Sequence, residues 1–322
     1  MNGNSIRSGE ILFVKCVKDG IPNRDPLRDS DARRIFGEED GRISLSDVSI
    51  KRDVRDYVLA RYPDGGDNNS MFVFCREERT DGNRLLGREK LATTILGRAE
   101  REEEEDLRDA LLTSAFDMRV FGAVFSVKKK SFHQVGPVQF GWAHSLHPVE
   151  TKYVQGTVVM PSKDTEMTDE GEEEGKSQGT IWTTYTLPFA TFAMPGVINA
   201  QIAGDTKMSQ EDVGVLLEGL WKGTVHRQAR GRGIQQPLFL LHVEYKDPFD
   251  RIGSLEERVQ IEPGRDAWLG ERPPSSLEEI KLNVEKLAET LNANEGKIER
   301  IRRWQHPGLQ GIGDLPGETM NM

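Results

Sequence analysis

The spacing of short apolar runs along the chain is the feature that most constrains its fold, because it lacks the regular strand–helix–strand rhythm of a doubly wound sheet. Six runs have the length and composition of strands: residues 10–18, 71–75, 116–127, 153–160, 180–187 and 238–245. Two amphipathic helices are interspersed among them, beginning near Ser44 and Ser209. A parallel sheet needs a long crossover, usually a helix, between successive strands. The pattern therefore predicts an α+β fold with an antiparallel sheet.

The net charge of the chain is concentrated in two segments. The 322 residues include 43 Lys and Arg against 53 Asp and Glu, which gives a formal net charge of -10. Residues 97–109 carry a net charge of -4 and residues 161–178 one of -5, so the remainder is close to neutral. An acidic balance by itself disfavours a nucleic-acid binder, since phosphate contacts come from Lys and Arg. The uneven distribution of charge nevertheless leaves room for basic patches. The length of the chain suits one large domain with insertions or two modest domains.

Membrane and secreted classes are disfavoured. The longest apolar segment, residues 187–202, is broken by two prolines and a glycine, and it falls short of the roughly 18 uninterrupted apolar residues of a membrane helix. The first seven residues lack the apolar core of a signal peptide. Cys16 and Cys75 are too few for a disulfide framework and too far apart for a four-cysteine zinc site. We therefore expect a cytoplasmic protein without a membrane partner.

Motifs of the common enzyme classes are missing from the sequence. It contains no P-loop, no G-x-G-x-x-G that opens a helix after a strand, and no G-x-S-x-G nucleophile elbow. His144 and His147 have the spacing of two metal ligands, but no Cys or Glu completes a site, which favours structural roles. Asp25 and Asp117 lie beside constrained backbone, and little supports a catalytic role for either. We expect no catalytic residue, no metal and no other cofactor.

The first amphipathic helix carries a cluster of cations. Residues 44–47 have the spacing of a capping box, and an apolar stripe through residues 50, 54, 57 and 58 faces a core. Lys51, Arg52 and Arg55 gather on another part of the helix surface. Two aspartates nearby, at 53 and 56, can pair with them, so a merely solvated charged face is the alternative interpretation.

Two further basic segments complete a set of features suited to a single-stranded nucleic acid. A lysine run at residues 128–130 follows the strand predicted at 116–127. Residues 222–233 hold four cations and no acid, broken by three glycines, and they predict a flexible basic loop that includes Arg230 and Arg232. A site that tracks a nucleic-acid backbone needs cations rather than side chains that read bases.

Two segments predict elements outside this basic set. The strands at 153–160 and 180–187 flank the acidic stretch 161–178, which predicts a long hairpin that projects from the body. Beyond Pro273 and Pro274, apolar residues at 277, 280, 284, 287 and 291 predict a helix, interrupted near 294–296 and resumed at 298 and 301.

A series of short motifs occurs in order along residues 10–250. They are DGIPNRDP at 19–26, LSDVSIKRDVRDY at 45–57, FDMRVFG at 116–122, GPVQF at 136–140, YTLPFA at 185–190, GVIN at 196–199 and SQED at 209–212. This order resembles that of the backbone subunits of type I CRISPR surveillance (Cascade) complexes, which belong to the RAMP superfamily. The closest resemblance is to type I-B or I-C, with I-B slightly preferred. Loop 19–26 departs from the family's pattern at Ile21 and Arg24, where the pattern has Asn and Gly.

The resemblance implies a fold of several parts. A modified RRM-like (ferredoxin-like) palm with an antiparallel sheet would comprise residues 1–60, 110–155 and 180–260. Residues 61–109 would form a helical finger insertion, and residues 153–187 a β-hairpin thumb with an acidic tip. Residues 274–322 would add a C-terminal helix and a glycine-rich tail.

The resemblance also implies a function. Copies of such a subunit polymerise along one CRISPR RNA and present its spacer for pairing with target DNA, without catalysis. The implied partners are CRISPR RNA, target DNA held through the guide heteroduplex, neighbouring copies of the chain, and the repeat-handle, large and small subunits. The complex would serve antiviral defence or another guided machinery, such as transposition. We expect the following RNA-binding residues: Asn23, Arg24, Lys51, Arg52, Arg55, Arg119, Lys128, Lys129, Lys130, Arg230 and Arg232.

Two alternatives to this function stay open. Related backbone subunits of type III complexes cut bound RNA with a loop aspartate, and Asp25 lies in a loop of that kind, although its proline-flanked motif matches type I. The other alternative is a free regulatory RNA-binding protein that does not assemble into a complex.

Overall fold

The structure, a computed structural model, describes residues 6–28, 31–102, 106–127, 131–157, 166–167, 173–174 and 181–321. Within these ranges no helix has the length and apolar character needed to cross a membrane. The predicted lysine run, Lys128, Lys129 and Lys130, and most of the predicted hairpin tip lie outside the described residues.

The strands and helices alternate irregularly along the chain. The strands are β1 (Gly9–Lys18), β2 (Ser44–Leu45), β3 (Gly122–Phe125), β4 (Phe132–Val135), β5 (Val138–Phe140), β6 (Ala143–Ser145), β7 (Lys152–Thr157), β8 (Glu166–Met167), β9 (Glu173–Glu174), β10 (Ile181–Thr186), β11 (Phe189–Ile198), β12 (Ile234–Tyr245), β13 (Gln260–Glu262), β14 (Lys281–Asn283), β15 (Ile298–Gln305) and β16 (Glu318–Thr319). The α-helices are α1 (Asp47–Arg61), α2 (Arg88–Arg98), α3 (Leu107–Ser114), α4 (Phe116–Phe121), α5 (Ala200–Thr206), α6 (Gln210–His226), α7 (Arg265–Trp268) and α8 (Glu285–Ala293). Two short 3₁₀ helices span Leu255–Arg258 and Leu277–Glu279.

One large sheet organises the protein. Its strand order is β16-β15-β12-β1-β11-β6-β2, and β5 also pairs with β11. Every pairing in this sheet is antiparallel except the short one between β15 and β16. The predicted α+β class with a mainly antiparallel sheet is therefore confirmed.

The central strand β1 is buried on both faces, and its alternation divides the core in two. Ile11 and Phe13 point to the face covered by α1 and α6, whereas Leu12 and Val14 belong to the cluster on the opposite face. Side chains alternate strictly along a strand, so Lys15 falls on the helix-covered face, where it is almost completely buried. A buried ammonium group there requires a carboxylate partner.

Helices α1 and α6 cross at close range on that face. A side chain at Gly223 would place its Cβ 2.3 Å from the carbonyl oxygen of Asp53, and one at Gly219 would meet Val54 at 3.0 Å. Glycine at these positions of α6 therefore allows the two helices to approach each other. Helix α6 begins at Ser209 with a capping box formed with Asp212. Helix α1 begins two residues later than the capping-box spacing predicted, because Ser44 lies in β2 and Ser46 is the N-cap.

The segment 116–127 was predicted to be a continuous strand, and this was wrong. It forms helix α4 and then β3, with the change at Gly122, whose φ of 76° ends the helix. Tertiary contacts fix the helix: Asp117 accepts hydrogen bonds from the backbone N–H of Phe74 (2.7 Å) and Cys75 (2.9 Å). Residues 71–75, also predicted to be a strand, form only an isolated bridge between residues 72 and 115.

The C-terminal segment was predicted to be a helix through residues 277–291, interrupted near 294–296 and resumed at 298 and 301, and this was wrong except over α8. The stretch contains a 3₁₀ turn, β14, helix α8 and then β15, which pairs with β12 in the main sheet. The apolar residues at 277–301 pack on the second face of the sheet rather than along one helical seam. Leu282, Leu287 and Leu291 belong to this cluster.

Two smaller units flank the sheet. Helices α2, α3 and α4 enclose their own apolar cluster around Phe72, Ile95 and Leu111. Strands β7 and β10 pair only with each other, in register from Lys152↔Thr186 to Thr157↔Ile181.

A buried histidine, His147, connects the segment after β6 to strand β11 and to helix α7. The Nδ1–H of His147 donates to the Pro148 carbonyl (2.9 Å), its Nε2 accepts from the Thr191 N–H (3.1 Å), and its ring stacks on Trp268 at 3.2 Å. Both ring nitrogens are thus occupied in the neutral form. Burial lowers the pKa of His147 to about 4.

We predict that His147 makes the protein less stable in mild acid. The neutral ring is favoured in the folded state, so its contribution is complete above the unfolded pKa near 6.5 and is lost as the pH falls towards 4. Between pH 7 and pH 5 the loss from this group is about 2 kcal/mol. Urea unfolding of the wild type and His147→Gln at both pH values measures it. Equal losses in the two proteins would contradict the prediction.

Candidate nucleic-acid interface

An arginine-lined groove of about 770 Å³ runs between the loop after β1, the start of α1 and the loop before β12. Seven arginines and a single acidic residue, Asp47, line it. The lining residues are Ile21, Pro22, Asn23, Arg24, Arg33, Ser46, Asp47, Val48, Ser49, Arg52, Arg55, Cys75, Trp142, Arg227, Arg230 and Arg232.

The wall of the groove is built on a buried ionic cluster around Asp53. Its carboxylate accepts from Lys15 Nζ at 2.9 Å, from Arg227 at 2.9 Å and from Arg232 at 3.1 Å. Arg232 also donates to the Pro22 carbonyl at 2.8 Å, which ties the loop after β1 to the loop before β12. The cluster therefore joins β1, α1, the end of α6 and both loops of the groove.

This cluster holds three cations around one fully buried carboxylate. Burial lowers the pKa of Lys15 and of Arg232, and Asp53 opposes the shift in both. The Arg232 Nε–H is buried without a hydrogen-bond partner. The excess of positive charge makes this end of the groove attractive to an anion.

Asn23 and Arg24 fix the backbone around the groove. Asn23 Oδ1 accepts from both the N–H and the hydroxyl of Ser46, at 2.9 Å each, which holds the loop against the start of α1. Arg24 donates to the carbonyls of Tyr185 at 3.1 Å and Gly231 at 3.0 Å. This arginine therefore links the loop to β10 and to the basic loop before β12.

The three cations of α1 all have carboxylate partners. Lys51 pairs with Asp47 at 2.9 Å and Arg52 with Asp56 at 2.6 Å. Arg55 pairs at 2.8 Å with Asp117, which is fully buried. Arg52 and Arg55 line the groove, whereas Lys51 does not. Arg52 is the most exposed of the three.

Two arginines of the groove have no carboxylate partner among the residues that the structure describes, and each lies beside a tryptophan. The guanidinium carbon of Arg33 lies 5.9 Å from the Trp142 ring centroid, and that of Arg230 lies 4.7 Å from the Trp182 ring centroid. An unpaired guanidinium is free to bind phosphate, and exposed aromatic rings stack on bases.

The groove thus brings together six of the predicted residues: Asn23, Arg24, Arg52, Arg55, Arg230 and Arg232. Arg119 lies elsewhere and is buried, with two hydrogen bonds to Asp212 at 2.8 and 3.2 Å and two to backbone carbonyls. We therefore assign it a structural role in place of the expected contact with RNA. Sequence reasoning counted Arg227 among the cations of the basic loop 222–233 without selecting it as a site residue. It did not select Arg33, Trp142, Trp182 or Cys75, which come from separate segments with no common motif.

The candidate catalytic and metal-binding residues are engaged locally. Asp25 Oδ1 accepts from the Leu27 N–H at 3.1 Å, which closes a turn. His144 bonds Ser44 through Nδ1 at 3.0 Å. In the described part of the chain, no three His, Cys, Asp or Glu residues form a group that could hold a metal ion.

A cationic groove with aromatic rings at its margin, on an antiparallel sheet, has the character of a site that holds single-stranded nucleic acid by its backbone. The family model for CRISPR-associated protein Cas7 matches residues 7–285, and the chain belongs to this family. It is also 28% identical over 320 residues to the CRISPR-associated protein Cas7 of Haloferax volcanii, covering 92% of this chain and 86% of that protein.

Solved structures with this fold come from RNA-guided assemblies. One is described as a CRISPR RNA-guided surveillance complex, pre-nicking; it matches with a TM-score of 0.57 and 15% identity, over 98% of this chain and 96% of that chain. Another, described as a CRISPR RNA-guided surveillance complex, matches with a TM-score of 0.54 and 16% identity, over 98% and 95%. These likenesses establish the fold.

We predict that Asp53→Asn strongly destabilises the protein, whereas Asp56→Asn does not. The first change keeps the size of the side chain but leaves three cations without a buried counter-charge, which costs about 3–5 kcal/mol. Asp56 is partly exposed, and its pairs with Arg52 and Arg227 contribute about 0–1 kcal/mol. Urea unfolding followed by circular dichroism compares the two variants. Similar midpoints would show that the Asp53 cluster does not hold the groove together.

We predict that the unpaired arginines contribute directly to binding of single-stranded RNA. Arg33→Gln and Arg230→Gln should each lower the affinity and reduce the slope of log K against log salt by about 0.7. Arg258→Gln, an exposed arginine outside the groove, is the matched control. Fluorescence anisotropy at several salt concentrations measures both quantities. Unchanged slopes in the groove variants would mean that these arginines do not contact phosphate.

Proposed function

We propose that this chain binds CRISPR RNA along the arginine-lined groove as a non-catalytic backbone subunit of a type I surveillance complex. The single observation that supports this most strongly is the groove itself, where seven arginines face one acidic residue in a chain whose net charge is -10. A polyanion is the ligand that such a local excess favours. Membership of the Cas7 family supports the choice of guide RNA as that polyanion.

In this proposal the protein holds the RNA backbone and leaves the bases available for target DNA. Most cations of the groove are arginines suited to phosphate, and specificity is delegated to pairing between guide and target. Strands β7 and β10 form a hairpin that, within the described residues, pairs with no strand of the main sheet, and residues 158–180 lie between them in the sequence. We propose that it is the thumb, which contacts the RNA or the body of a neighbouring copy. Copies would thereby polymerise along one guide together with the repeat-handle, large and small subunits in the cytoplasm.

The hairpin is connected to the groove at its base. Arg24 bonds the Tyr185 carbonyl and Arg230 stacks on Trp182, both on β10. Tyr153 and Ile181 expose most of their side chains on the same two-stranded unit. These exposed apolar groups are suited to a contact with a second copy. This arrangement supports a role for the hairpin in linking RNA binding to assembly.

The test is to express the chain with its sister subunits and a repeat–spacer array, purify the product and extract its RNA. We expect a high-mass particle that contains a discrete RNA of repeat–spacer sequence. The double variant Arg33→Gln/Arg230→Gln should retain less of this RNA, and Arg258→Gln should retain as much as the wild type. A monomer that binds short RNA without retaining array transcripts would instead support the regulatory alternative.

The same particle tests the proposal that the chain is not an enzyme. RNA held in it should stay intact on incubation with Mg²⁺, because Asp25 serves a turn in the loop after β1. Metal-dependent cleavage that disappears in Asp25→Ala would overturn the non-catalytic role and support the type III-like alternative.

A further inference from the structure

We propose that Trp142, together with Arg33, forms a stacking subsite for one unpaired nucleobase at the edge of the groove. The inference rests on the proposed function, since the base would belong to the strand whose phosphates occupy the groove. It adds a specific contact with a base to a surface otherwise made for the backbone. The ligand is a flat, uncharged aromatic ring attached to a phosphodiester chain.

The backbone around Trp142 is held in place by strand β11. Strands β5 and β6 both pair with β11, and Trp142 lies in the two-residue gap between them. The Gly141 N–H donates to the Pro195 carbonyl at 2.9 Å, and a Cβ at Gly141 would lie only 2.9 Å from the Pro195 ring. The indole therefore projects from a fixed point of the sheet rather than from a free loop, which reduces the ordering cost of binding.

Trp142 is the most exposed tryptophan of the protein. It is 37% exposed and lines the groove, whereas Trp268 and Trp304 are buried in the core. Val48, also in the lining, is 64% exposed, so an apolar surface lies within the cationic groove. Water solvates such a surface poorly, and a stacked base would cover it.

Arg33 is positioned to hold the phosphate next to that base. Its backbone carbonyl accepts from the Ser44 N–H at 2.7 Å, and the following residue, Arg34, bonds the carbonyls of Gly41 (2.7 Å) and Val149 (2.9 Å). The segment that carries Arg33 is thus fastened to the body at three points. The Arg33 Nε–H is buried without a hydrogen-bond partner.

The composition of the groove favours a nucleotide over an apolar protein segment as the occupant. An apolar peptide would leave Arg33 and Arg230 without a counter-charge, because neither has a carboxylate partner among the described residues. A nucleotide supplies both a ring for the indole and a phosphate for the guanidinium. A contact with a second copy of the chain is therefore an outcome for the experiment to exclude.

The test measures binding of fluorescein-labelled single-stranded RNA by the full chain, using oligouridine, oligoadenine and an abasic oligonucleotide of the same length. Trp142→Ala should weaken binding of both base-bearing strands by about 10-fold, within the range for loss of one stacked base. It should leave binding of the abasic strand unchanged. Trp142→Phe should restore most of the affinity, and Phe249→Ala, which removes an exposed aromatic ring outside the groove, should have no effect.

Each other result overturns the proposal in a distinct way. An equal loss of affinity for base-bearing and abasic strands would show that Trp142 supports the groove without stacking on a base. No loss in Trp142→Ala would remove the residue from the interface. A defect confined to self-association without RNA would assign the surface to a second copy. If the wild type binds none of the strands, the proposed function itself fails, which the three preceding results do not imply.

Discussion

The buried carboxylate of Asp53 is the interaction on which the rest of the structure depends. Alternation along β1 directs Lys15 to the helix-covered face, where no water is available to solvate its ammonium group. Asp53 on α1 provides the counter-charge, and the same carboxylate accepts from Arg227 and Arg232. A buried ion pair contributes little net stability when compared with apolar residues of the same size. Its effect here is positional, because one side chain sets the relative placement of the sheet, both core helices and both loops of the groove.

The same cluster explains how an acidic chain can present a positive surface. Lys15, Arg227 and Arg232 surround the Asp53 carboxylate, and Asp56 also pairs with Arg227. Arg33 and Arg230 have no carboxylate partner among the described residues, so cations outnumber acids around the groove. The acids that make the chain acidic overall are concentrated in residues 97–109 and 161–178. Exposed charges are screened over about 8–10 Å at physiological ionic strength. The seven arginines that line the groove are thus the cations nearest to any anion that enters it.

Sequence reasoning predicted those elements whose local pattern and tertiary role agree, and it failed where a tertiary contact overrides the pattern. Strand β1, helix α6 and strand β12 each bury the residues that the pattern indicated. The apolar run from residue 116 has the composition of a strand, but Asp117 caps the backbone of residues 74 and 75, and this turns it into a helix. Strand β11 was not predicted because it contains Pro195. The N–H and the carbonyl of one residue point to the same side of an antiparallel strand. The Pro195 carbonyl points to Gly141 in the gap between β5 and β6, so the N–H that proline lacks would also have pointed into this gap. The proline is therefore tolerated in the strand.

The candidate site was predicted only in part, for a related physical reason. The motifs that carry the family resemblance contain residues that build the frame: Asp53, Asp117, Arg119 and Gly122 are all engaged in buried contacts or backbone turns. Arg230 lies in the basic loop that the sequence predicted, whereas Arg33 lies on a segment outside those motifs, and no periodicity marks it. Arg24, Arg227 and Arg232 make contacts that hold the two loops in place, whereas Arg33 and Arg230 have no carboxylate partner among the described residues. The order of motifs therefore identifies the scaffold, whereas residues of the groove such as Arg33 and Trp142 become neighbours only in the folded protein.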